Sequence, residues 1–455
     1  MLAHAASFFK MRTQQSFYQQ GQALPLGLVL LLATSGVVFY MFNTGQLVQE
    51  KIRLTNTADA VAYSAGIYEA RVLNFDAYSN RAMIANEIAI GQAVGLASWA
   101  KYAGTASGNL SKYAHLIPGW GTAIAQALEQ IKSAMDMILA PLAASVITHD
   151  AAIQAIKAAQ LAVHGPDNSL ALANRKWVMD QVAHQNDPNT HVDLIPLSDD
   201  FSTFTHRYAT RNERTRMGQV VENERKVDSF FKRRNWEFGI FACPVGLGLK
   251  KRGSTELINQ VDGWKSMDTL SVHTYRIRRF SCRHRESALG YGTGFSKEQL
   301  GDSGVSYAQS RRDNRRASGV ADSGAGRAKG FAPNSVGKGA IPEFYELSNK
   351  ILNSDDPNTQ LAIRVTKSKA TQRYSGGASI IQPTGALNLY QGAPLANQSA
   401  AIARVEVYFD RPTKNSTANQ QQVEIGSLFN PYWQARLVPS QATDRTKALL
   451  LQGVH

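Results

Sequence analysis

The chain has 455 residues, of which 44% are hydrophobic, and this is enough apolar material for a sizeable core spread over two or three domains. Its formal net charge of +14 favours contact with an anionic surface, such as phospholipid, nucleic acid, an acidic polysaccharide or an acidic protein. The two cysteines, Cys243 and Cys282, do not form a C-x-x-C pair, which excludes the redox and metal motifs built on that spacing.

Residues 23–42 form an apolar segment without a charged side chain. A helix of this length, rising ~1.5 Å per residue, spans the ~30 Å hydrocarbon layer of a bilayer. Lys10 and Arg12 precede it, and short segments rich in Lys and Arg stay in the cytoplasm. We predict a cytoplasmic tail at 1–22, a single transmembrane helix at 23–42 and export of the rest, with no second span. A cleaved signal peptide and a buried core helix are the alternatives.

The helical pattern continues beyond the apolar segment. Apolar residues recur every seven positions and are joined by small residues four positions later: Leu47, Leu54, Val61, Tyr68 and Phe75, with Ala58, Ala65 and Val72. This predicts one apolar stripe along a helical stalk, which Gly66, Gly91 or Gly95 could interrupt. Small residues within the apolar segment would also let a second helix approach closely, so a homo-oligomer through the transmembrane helix and stalk is one expectation.

The first hundred residues carry a family resemblance. The shared features are Arg12 and Gly21-Gln22, then Asn43-Thr44-Gly45-Gln46, then Lys51, Asn56, Asp59 and Ala60, and finally Arg71, Leu73-Asn74, Ala77-Tyr78 and Asn80-Arg81-Ala82-Met83. In these residues the chain resembles the N-terminal region of TadE/TadG-like proteins of tight-adherence (Flp) pilus assembly. The C-terminal sequences FDRPT and SLFNPYWQARLVP are similar to the closing segments of longer members.

The resemblance implies a bacterial inner-membrane anchor, a periplasmic body and a role in a type IV-like pilus, with other pilus-assembly proteins or pilins as partners. Two departures from the family pattern stand in the sequence. If Gly21 is a prepilin cleavage glycine, Leu26 occupies the position where prepilins usually carry glutamate. The D-x-S-x-S metal motif of some members is broken at its third position in Asp302-Ser303-Gly304 and Asp322-Ser323-Gly324, so we expect no metal site.

The region 43–200 reads as helical and periplasmic. LIPGWG at 116–121 predicts a turn, 122–163 a helix with a kink or break at Pro141, and Ser169 the cap of a further helix to about Val182. Residues 186–196 read as a polar loop. The charged segment 207–236 predicts a solvated helix face with local ion pairs, and a phosphate-binding helix is the alternative.

The region 201–455 reads as an α+β domain. Alternating apolar residues at 267–280, 360–367 and 401–409 predict strands of one antiparallel or mixed sheet. The fold class is therefore α+β: a transmembrane helix that continues into a helical stalk, a helical bundle, and a C-terminal sheet region. A long flexible insertion at about 287–339 is rich in Gly, Ser, Ala and Arg. Its basic centre could contact an anionic polymer or nucleic acid, or could simply be solvated: Arg311, Arg312, Arg315 and Arg316.

The sequence contains few residues in patterns that are typical of catalysis, metal binding or cofactor binding. In an oxidising periplasm, Cys243 and Cys282 are expected to form a disulfide, and a metal site using Cys282 and His284 is the alternative. The glycines at 290, 292 and 294 lack the last glycine of a dinucleotide-binding motif. We expect no cofactor and no enzymatic activity. The leading hypothesis is a membrane-anchored structural component of Flp pilus assembly; the alternatives are an exported minor pilin or adhesin that binds anionic polymer, and a periplasmic hydrolase.

Overall fold

The computed structural model describes residues 23–228, 231, 234–296, 341–368, 371, 398–410 and 425–451. The fold class is α+β, as predicted, with one long helix at the centre. The first residues of the predicted flexible insertion, 287–295, instead belong to a β-strand, since they pair with a neighbouring strand of a sheet. The remainder of that insertion from 297 onward, with its four arginines at 311, 312, 315 and 316, lies outside the described residues. The tail at 1–22 also lies outside them.

Helix α1 runs unbroken for 92 residues, from Ala23 to Ala114. The predicted apolar stripe is buried at Leu54, Ala58 and Val61, and from Leu54 onward the other elements pack around the helix. We call these packed residues the body. Further along α1, Tyr68 and Phe75 of the predicted stripe are only partly buried, and the residues that follow them, 69 and 76, are buried instead. A straight helix drifts by ~20° per heptad relative to a strict seven-residue repeat, which accounts for the shift.

Two of the glycines that could have interrupted the helix, Gly66 and Gly91, are instead close-packing positions. A Cβ on Gly66 would lie 2.4 Å from Val405, and one on Gly91 would lie 2.8 Å from Trp264. The helix therefore continues through these glycines because sheets and aromatic rings press against it there.

Three helices return along α1: α2 (Gly121–Met137), α3 (Leu139–His164) and α4 (Ser169–Asn186). The turn before α2 is confirmed. The break between α2 and α3 falls at Ile138, and Pro141 lies in the first turn of α3, where its missing N–H costs little. Asn168, in the left-handed conformation, occupies the cap position predicted for Ser169.

The remaining elements follow in chain order. They are β1 (Thr190–Leu194), α5 (Phe201–Phe204), β2 (Thr205–Tyr208), α6 (Arg211–Val227), β3 (Trp236–Gly239), β4 (Val245–Leu257), β5 (Trp264–Arg278), β6 (Ser281–Phe295), β7 (Phe344–Leu347), α7 (Asn349–Leu352), β8 (Asn358–Ser368), β9 (Gln398–Phe409), β10 (Trp433–Val438) and α8 (Ala442–Leu450). The predicted loop at 186–196 thus contains strand β1, which pairs with β8 far along the chain.

The strands form separate antiparallel sheets, so the expectation of one sheet is wrong. One sheet has the order β1-β8-β9-β10, a second has the order β3-β4-β5-β6, and β2 pairs with β7. The first sheet packs on α1 around Ala62 and Ala65, and the second packs further along, from Val94 to Ala106. The helix is long enough for each of the two sheets to pack one of its faces against a different part of it.

Helix α6 confirms the predicted helix in the charged segment and begins with a capping box formed by Thr210 and Glu213. Its charged side chains are not simply solvated. Arg216 pairs with the fully buried carboxylate of Glu346, and Arg211 pairs with the buried Asp262. These ion pairs fasten α6 to the centre of the body.

Candidate functional site on the long helix

The first part of α1 is exposed and apolar. Its large side chains from Leu24 to Phe42 stand almost entirely outside any packing contact of the body. Among the described residues, two helical stretches are long and apolar enough to cross a membrane, Ala23–Ala114 and Gly121–Asn186. The exposed start of α1 is therefore compatible with a membrane anchor.

The second stretch was not expected from the sequence. Its most apolar helix, α3, buries Val146 and Ile153 in one core with Met83 of α1 and Phe344 of β7. Because this side of α3 is used for packing against the other elements, we assign the helix to the body.

Residues that carry the family resemblance meet in space although they are far apart in the chain. The side-chain amide of Asn74 donates to the carbonyl of Trp433 over 2.9 Å and accepts from its N–H over 3.0 Å. Asn80 is fully buried and donates to the carbonyls of Tyr345 and Leu428. The closing segment SLFNPYWQARLVP is therefore held by two asparagines of α1.

Other signature residues point away from the body. Arg71, Tyr78 and Arg81 are exposed, and Tyr63 lies on the same side of α1, two helical turns before Arg71. We call these four residues the open face of α1. Tyr and Arg are enriched among the residues that dominate protein–protein binding energies, so the open face has the composition of a docking surface.

Buried charges fix α4 to α1. Arg175 of α4 is 1% exposed and forms ion pairs with Glu69 of α1 and with Asp199. Burial alone would lower the pKa of Arg175, but the hydrogen bonds and charges of Asp199 and Glu69 outweigh burial and raise it. The guanidinium thus stays charged between two carboxylates and joins two helices with the loop that follows β1.

A second buried pair joins α3 to α1. The His164 Nε2 lies 2.7 Å from Asp76 Oδ2, and its Nδ1 lies 2.8 Å from Asn168 Oδ1. The Asn168 amide nitrogen donates to the carbonyl of Ser202, which leaves its oxygen as the acceptor. Both ring nitrogens of His164 therefore face acceptors, and the imidazolium form satisfies both. The ring also stacks on Tyr345 at 3.9 Å.

This pair gives the body a dependence on pH. Burial lowers the pKa of His164, but the hydrogen bond and charge of Asp76 outweigh burial, and the net pKa is raised. A histidine whose pKa is higher in the folded state contributes its full stabilisation of the fold below its unfolded pKa, which is near 6.5. This contribution decreases as the pH rises through the folded-state pKa. Burial also raises the pKa of Asp76, and this shift likewise makes the folded state less stable as the pH rises.

We expect the urea midpoint of the full chain in detergent to fall as pH rises from about 6 to about 9, because His164 loses its proton over this range. The variant His164→Gln should lower the midpoint and flatten its dependence on pH. The exposed His184 on α4 provides the control, since His184→Gln should leave the profile unchanged. A wild-type midpoint that is constant over this range would contradict the assignment.

Further along α1, Ser98 joins the second sheet. Its hydroxyl donates to Asp268 Oδ2 over 2.7 Å, and the same carboxylate accepts from Lys251 and Arg234. Nearer the middle of the helix, the indole N–H of Trp264 donates to Glu87 over 3.3 Å. Burial raises the pKa of Glu87 well above its usual value. The long helix therefore carries a series of buried polar residues whose partners lie on α3, α4 and β5.

The sequence reasoning missed these buried polar residues, although a signal was present. Glu69 and Asp76 continue the seven-residue repeat of Ala62, Met83 and Ile90, all of which are buried. A polar residue inside a buried repeat requires a polar partner, so the repeat marks where partners must dock. Which element supplies the partner could not be read from the chain.

The predicted disulfide is present, with Cys243 and Cys282 joined at a Cα–Cα distance of 6.0 Å. The alternative metal site that used Cys282 is therefore wrong. Within the described ranges, no cluster of three or more His, Cys, Asp or Glu side chains is arranged to hold a metal ion.

A serine–histidine contact exists on β5 but lacks the geometry of a hydrolase. Ser271 Oγ lies 2.9 Å from His273 Nε2, and both residues are buried. The other ring nitrogen of His273 faces His284, while Glu286 approaches the same nitrogen as the serine. A catalytic triad needs the carboxylate on the opposite nitrogen, where it orients the base.

An exposed apolar segment that runs without a break into a buried helix has the form of an anchor joined to an extramembrane body. The comparisons name a family for this part of the chain: residues 21–71 match the model described as putative Flp pilus-assembly TadE/G-like. The resemblance stated from the residues is thereby confirmed over that segment. No curated protein and no solved structure matches the chain.

Proposed function

We propose that the chain is a membrane-anchored structural component of Flp pilus assembly. The observation that carries this proposal is the position of the family match, residues 21–71, which covers the exposed apolar segment and the first buried turns of α1. The family description links this segment to Flp pilus assembly, and the segment is the one that connects the exposed start of α1 to the body.

In the arrangement we propose, residues 23–42 span the bacterial inner membrane with the N-terminus in the cytoplasm. The body then lies in the periplasm, where an oxidising environment keeps the disulfide of Cys243 formed. The basic residues before the apolar segment support this orientation. The lipid bilayer is the first partner, and pilins or other assembly proteins are the second.

The open face of α1 is the proposed contact for those assembly proteins. The family signature divides into two sets: Asn74 and Asn80 hold the closing segment, whereas Arg71, Tyr78 and Arg81 are exposed. Packing of the body accounts for the first set. Contact with a partner protein accounts for the second.

The role we propose involves no catalysis. Support comes from His164 and His273, which are both buried and bonded to other side chains of the protein. Neither ring is presented to a substrate in this arrangement. The charged network instead fastens helices to one another, as a structural role requires.

The anchor is tested by fractionation. Full-length chain should remain with membranes after a carbonate wash, and a chain lacking residues 23–42 should become soluble, because loss of ~20 apolar residues removes the span. Tags at either end, probed by protease in spheroplasts, report the orientation. A full-length chain released by the wash would contradict the anchor. Mass spectrometry that finds a mature start at Gln22 would favour the minor-pilin alternative.

The open face is tested by charge reversal. The double variant Arg71→Glu with Arg81→Glu should abolish surface pili in a strain whose own copy is deleted, while protein abundance stays normal. A matched control reverses Lys176 and truncates Trp177 on α4, where both side chains have exposed surface away from α1. Normal piliation by the deletion strain would overturn the pilus role itself. Normal piliation by the double variant alone would overturn only the open face.

A further inference from the structure

The outer half of the sheet β3–β6 extends beyond the end of α1. Near the end of α1, the side chain of Asn109 donates a hydrogen bond to the carbonyl of Leu289 over 2.8 Å. Strand β6 continues from Leu289 back to the hairpin turn at Phe280, which lies about 30 Å further out at ~3.3 Å per residue. Within the described ranges, no element therefore covers the outer half of the sheet face that packs on α1.

The register shows which residues stand on that open half. Lys251 of β4 lies on the α1 side, where it bonds Asp268, so Leu247 and Val245 share its side of the sheet. Phe238 is paired with Leu249, and the N–H of Ile240 donates to the carbonyl of Leu247, which places both on this side. We call Phe238, Ile240, Val245 and Leu247 the distal strip; they are 74%, 65%, 80% and 65% exposed.

The opposite side of the same strands is closed. The ring of Phe241 lies against Gly248, and it contacts His273 and Tyr275 edge-on. The disulfide from Cys243 ties this covering loop to β6. Among the residues that the structure describes, none covers the distal strip, whereas a disulfide-linked loop packs on the opposite face of the same strands.

Arginines surround the distal strip. On β5 and β6, Arg276 lies opposite Arg283, and both are exposed. Three more exposed arginines follow nearby: Arg278, Arg279 and Arg285. Two copies of this surface would repel one another, whereas carboxylates would be attracted. The strip is also out of reach of the anchoring bilayer, since the helix from Phe42 to Asn109 rises by about 100 Å.

We propose that the distal strip binds an acidic amphipathic helix of a partner protein, seated in line with α1. Two observations select a helix with carboxylates. The inner half of the same face already seats a helix, through Leu270 and Leu289 against Ala106. The arginines beside the strip supply the complementary charge. This inference concerns binding by the outer sheet and does not depend on a role in pilus assembly.

The test uses the full chain in nanodiscs of phosphatidylcholine and two labelled peptide helices. Both peptides carry leucine and alanine on one face, and their polar flanks carry either glutamate or lysine. Fluorescence anisotropy, corrected with empty nanodiscs, should show the glutamate peptide binding at least tenfold tighter, a difference of about 1.4 kcal/mol. Equal binding of the two peptides, or no binding, would overturn the proposal.

Variants locate the binding surface. Phe238→Ser with Leu247→Ser should weaken the glutamate peptide about tenfold, because apolar anchors dominate such grooves. Arg276→Glu with Arg283→Glu should reverse the preference between the two peptides. Leu197, which is 94% exposed elsewhere on the body, gives the control Leu197→Ser, with unchanged binding.

The second pair of variants keeps the test decisive if the first pair fails to fold, since exposed arginines contribute little to folding. Binding that is insensitive to both pairs would overturn the proposal. A wild-type dimer in sedimentation that Phe238→Ser with Leu247→Ser converts to a monomer would also overturn it and would assign the strip to a second copy. None of these outcomes bears on piliation, which is measured separately.

Discussion

Replacing Arg175 by leucine is expected to lower the free energy of unfolding by about 3–5 kcal/mol, the cost of leaving a buried ion pair without one partner. Glu69 is 1% exposed, and Asp199 is mostly buried beside it. Without the guanidinium, two carboxylates would face each other between α1, α4 and the loop after β1. Urea unfolding of the full chain in detergent, at neutral pH, measures the loss.

The loss should depend on pH, which separates it from a simple packing defect. Burial already raises the pKa of Glu69 to about 7, against the opposing charge of Arg175. Without Arg175 this folded pKa rises further above the usual value of 4.5, so the variant is most stable at low pH and loses stability as pH rises. The deficit of Arg175→Leu relative to wild type should therefore be smaller at pH 5 than at pH 8.

Controls come from the same helix and the same network. Lys176 forms only a partly exposed pair with Asp180, so Lys176→Leu should change stability by no more than about 0.5 kcal/mol. Adding Glu69→Leu to Arg175→Leu should restore part of the loss, since apolar side chains can replace a buried ion pair. A deficit that is the same at both pH values would argue against the carboxylates as its cause.

Replacing Gly292 by alanine is expected to cost about 3 kcal/mol, at the upper end of the range for overpacked sites. A Cβ at this position would lie 2.0 Å from the carbonyl oxygen of Ser98 and 2.4 Å from the amide nitrogen of Tyr102. Both atoms belong to the backbone of α1, which cannot move aside as a side chain would. Strand β6 or the helix must shift, and the hydrogen bond from Ser98 to Asp268 would be strained.

The measurement is again urea unfolding, together with amide hydrogen exchange of β6. Ser287 lies on the same strand in an exposed position, so Ser287→Ala serves as the matched control and should stay within about 0.5 kcal/mol of wild type. If Gly292→Ala unfolds at the wild-type urea concentration and β6 keeps its protection, the close approach of helix and strand is not a determinant of stability.

The glycines of β6 show why the packing of this strand on α1 could not be predicted from the sequence. Gly290, Gly292 and Gly294 lack the last glycine of a dinucleotide-binding motif, and their sequence alone indicates no other role. Their spacing of two is the period of one face of a strand, and that face meets α1 at intervals of four residues, at Val94, Ser98 and Tyr102. The pattern becomes interpretable only when both partners are known.

The long helix was predictable because its signal is local and repeated. Leu54, Ala58 and Val61 carry a period that needs no knowledge of the partner, and so does the alternation of β8 and β9. Strand β1 and the contact between Asp76 and His164 were not predictable, because each depends on residues far away in the chain. The expectation that all the predicted strands belong to one sheet failed for the same reason.

The same distinction holds for the candidate site. Asn74 and Asn80 lie beyond the matched segment 21–71, and their shared role in holding the closing segment depends on residues far away in the chain. The disulfide partners followed from there being only two cysteines. The distal strip could not be anticipated, since Phe238 and Val245 have ordinary strand surroundings in sequence, and among the described residues they are exposed because α1 ends before it reaches them.

Because α1 runs without a break, a small tilt at its start produces a large displacement at its far end. At ~1.5 Å per residue its 92 residues measure about 140 Å, so an inclination of ~20° within the bilayer would displace the far end sideways by about 50 Å. Hydrocarbon thickness influences how far such a helix leans. In the membrane arrangement proposed above, lipid composition would therefore influence the position of the far end of α1, without any change in the fold itself.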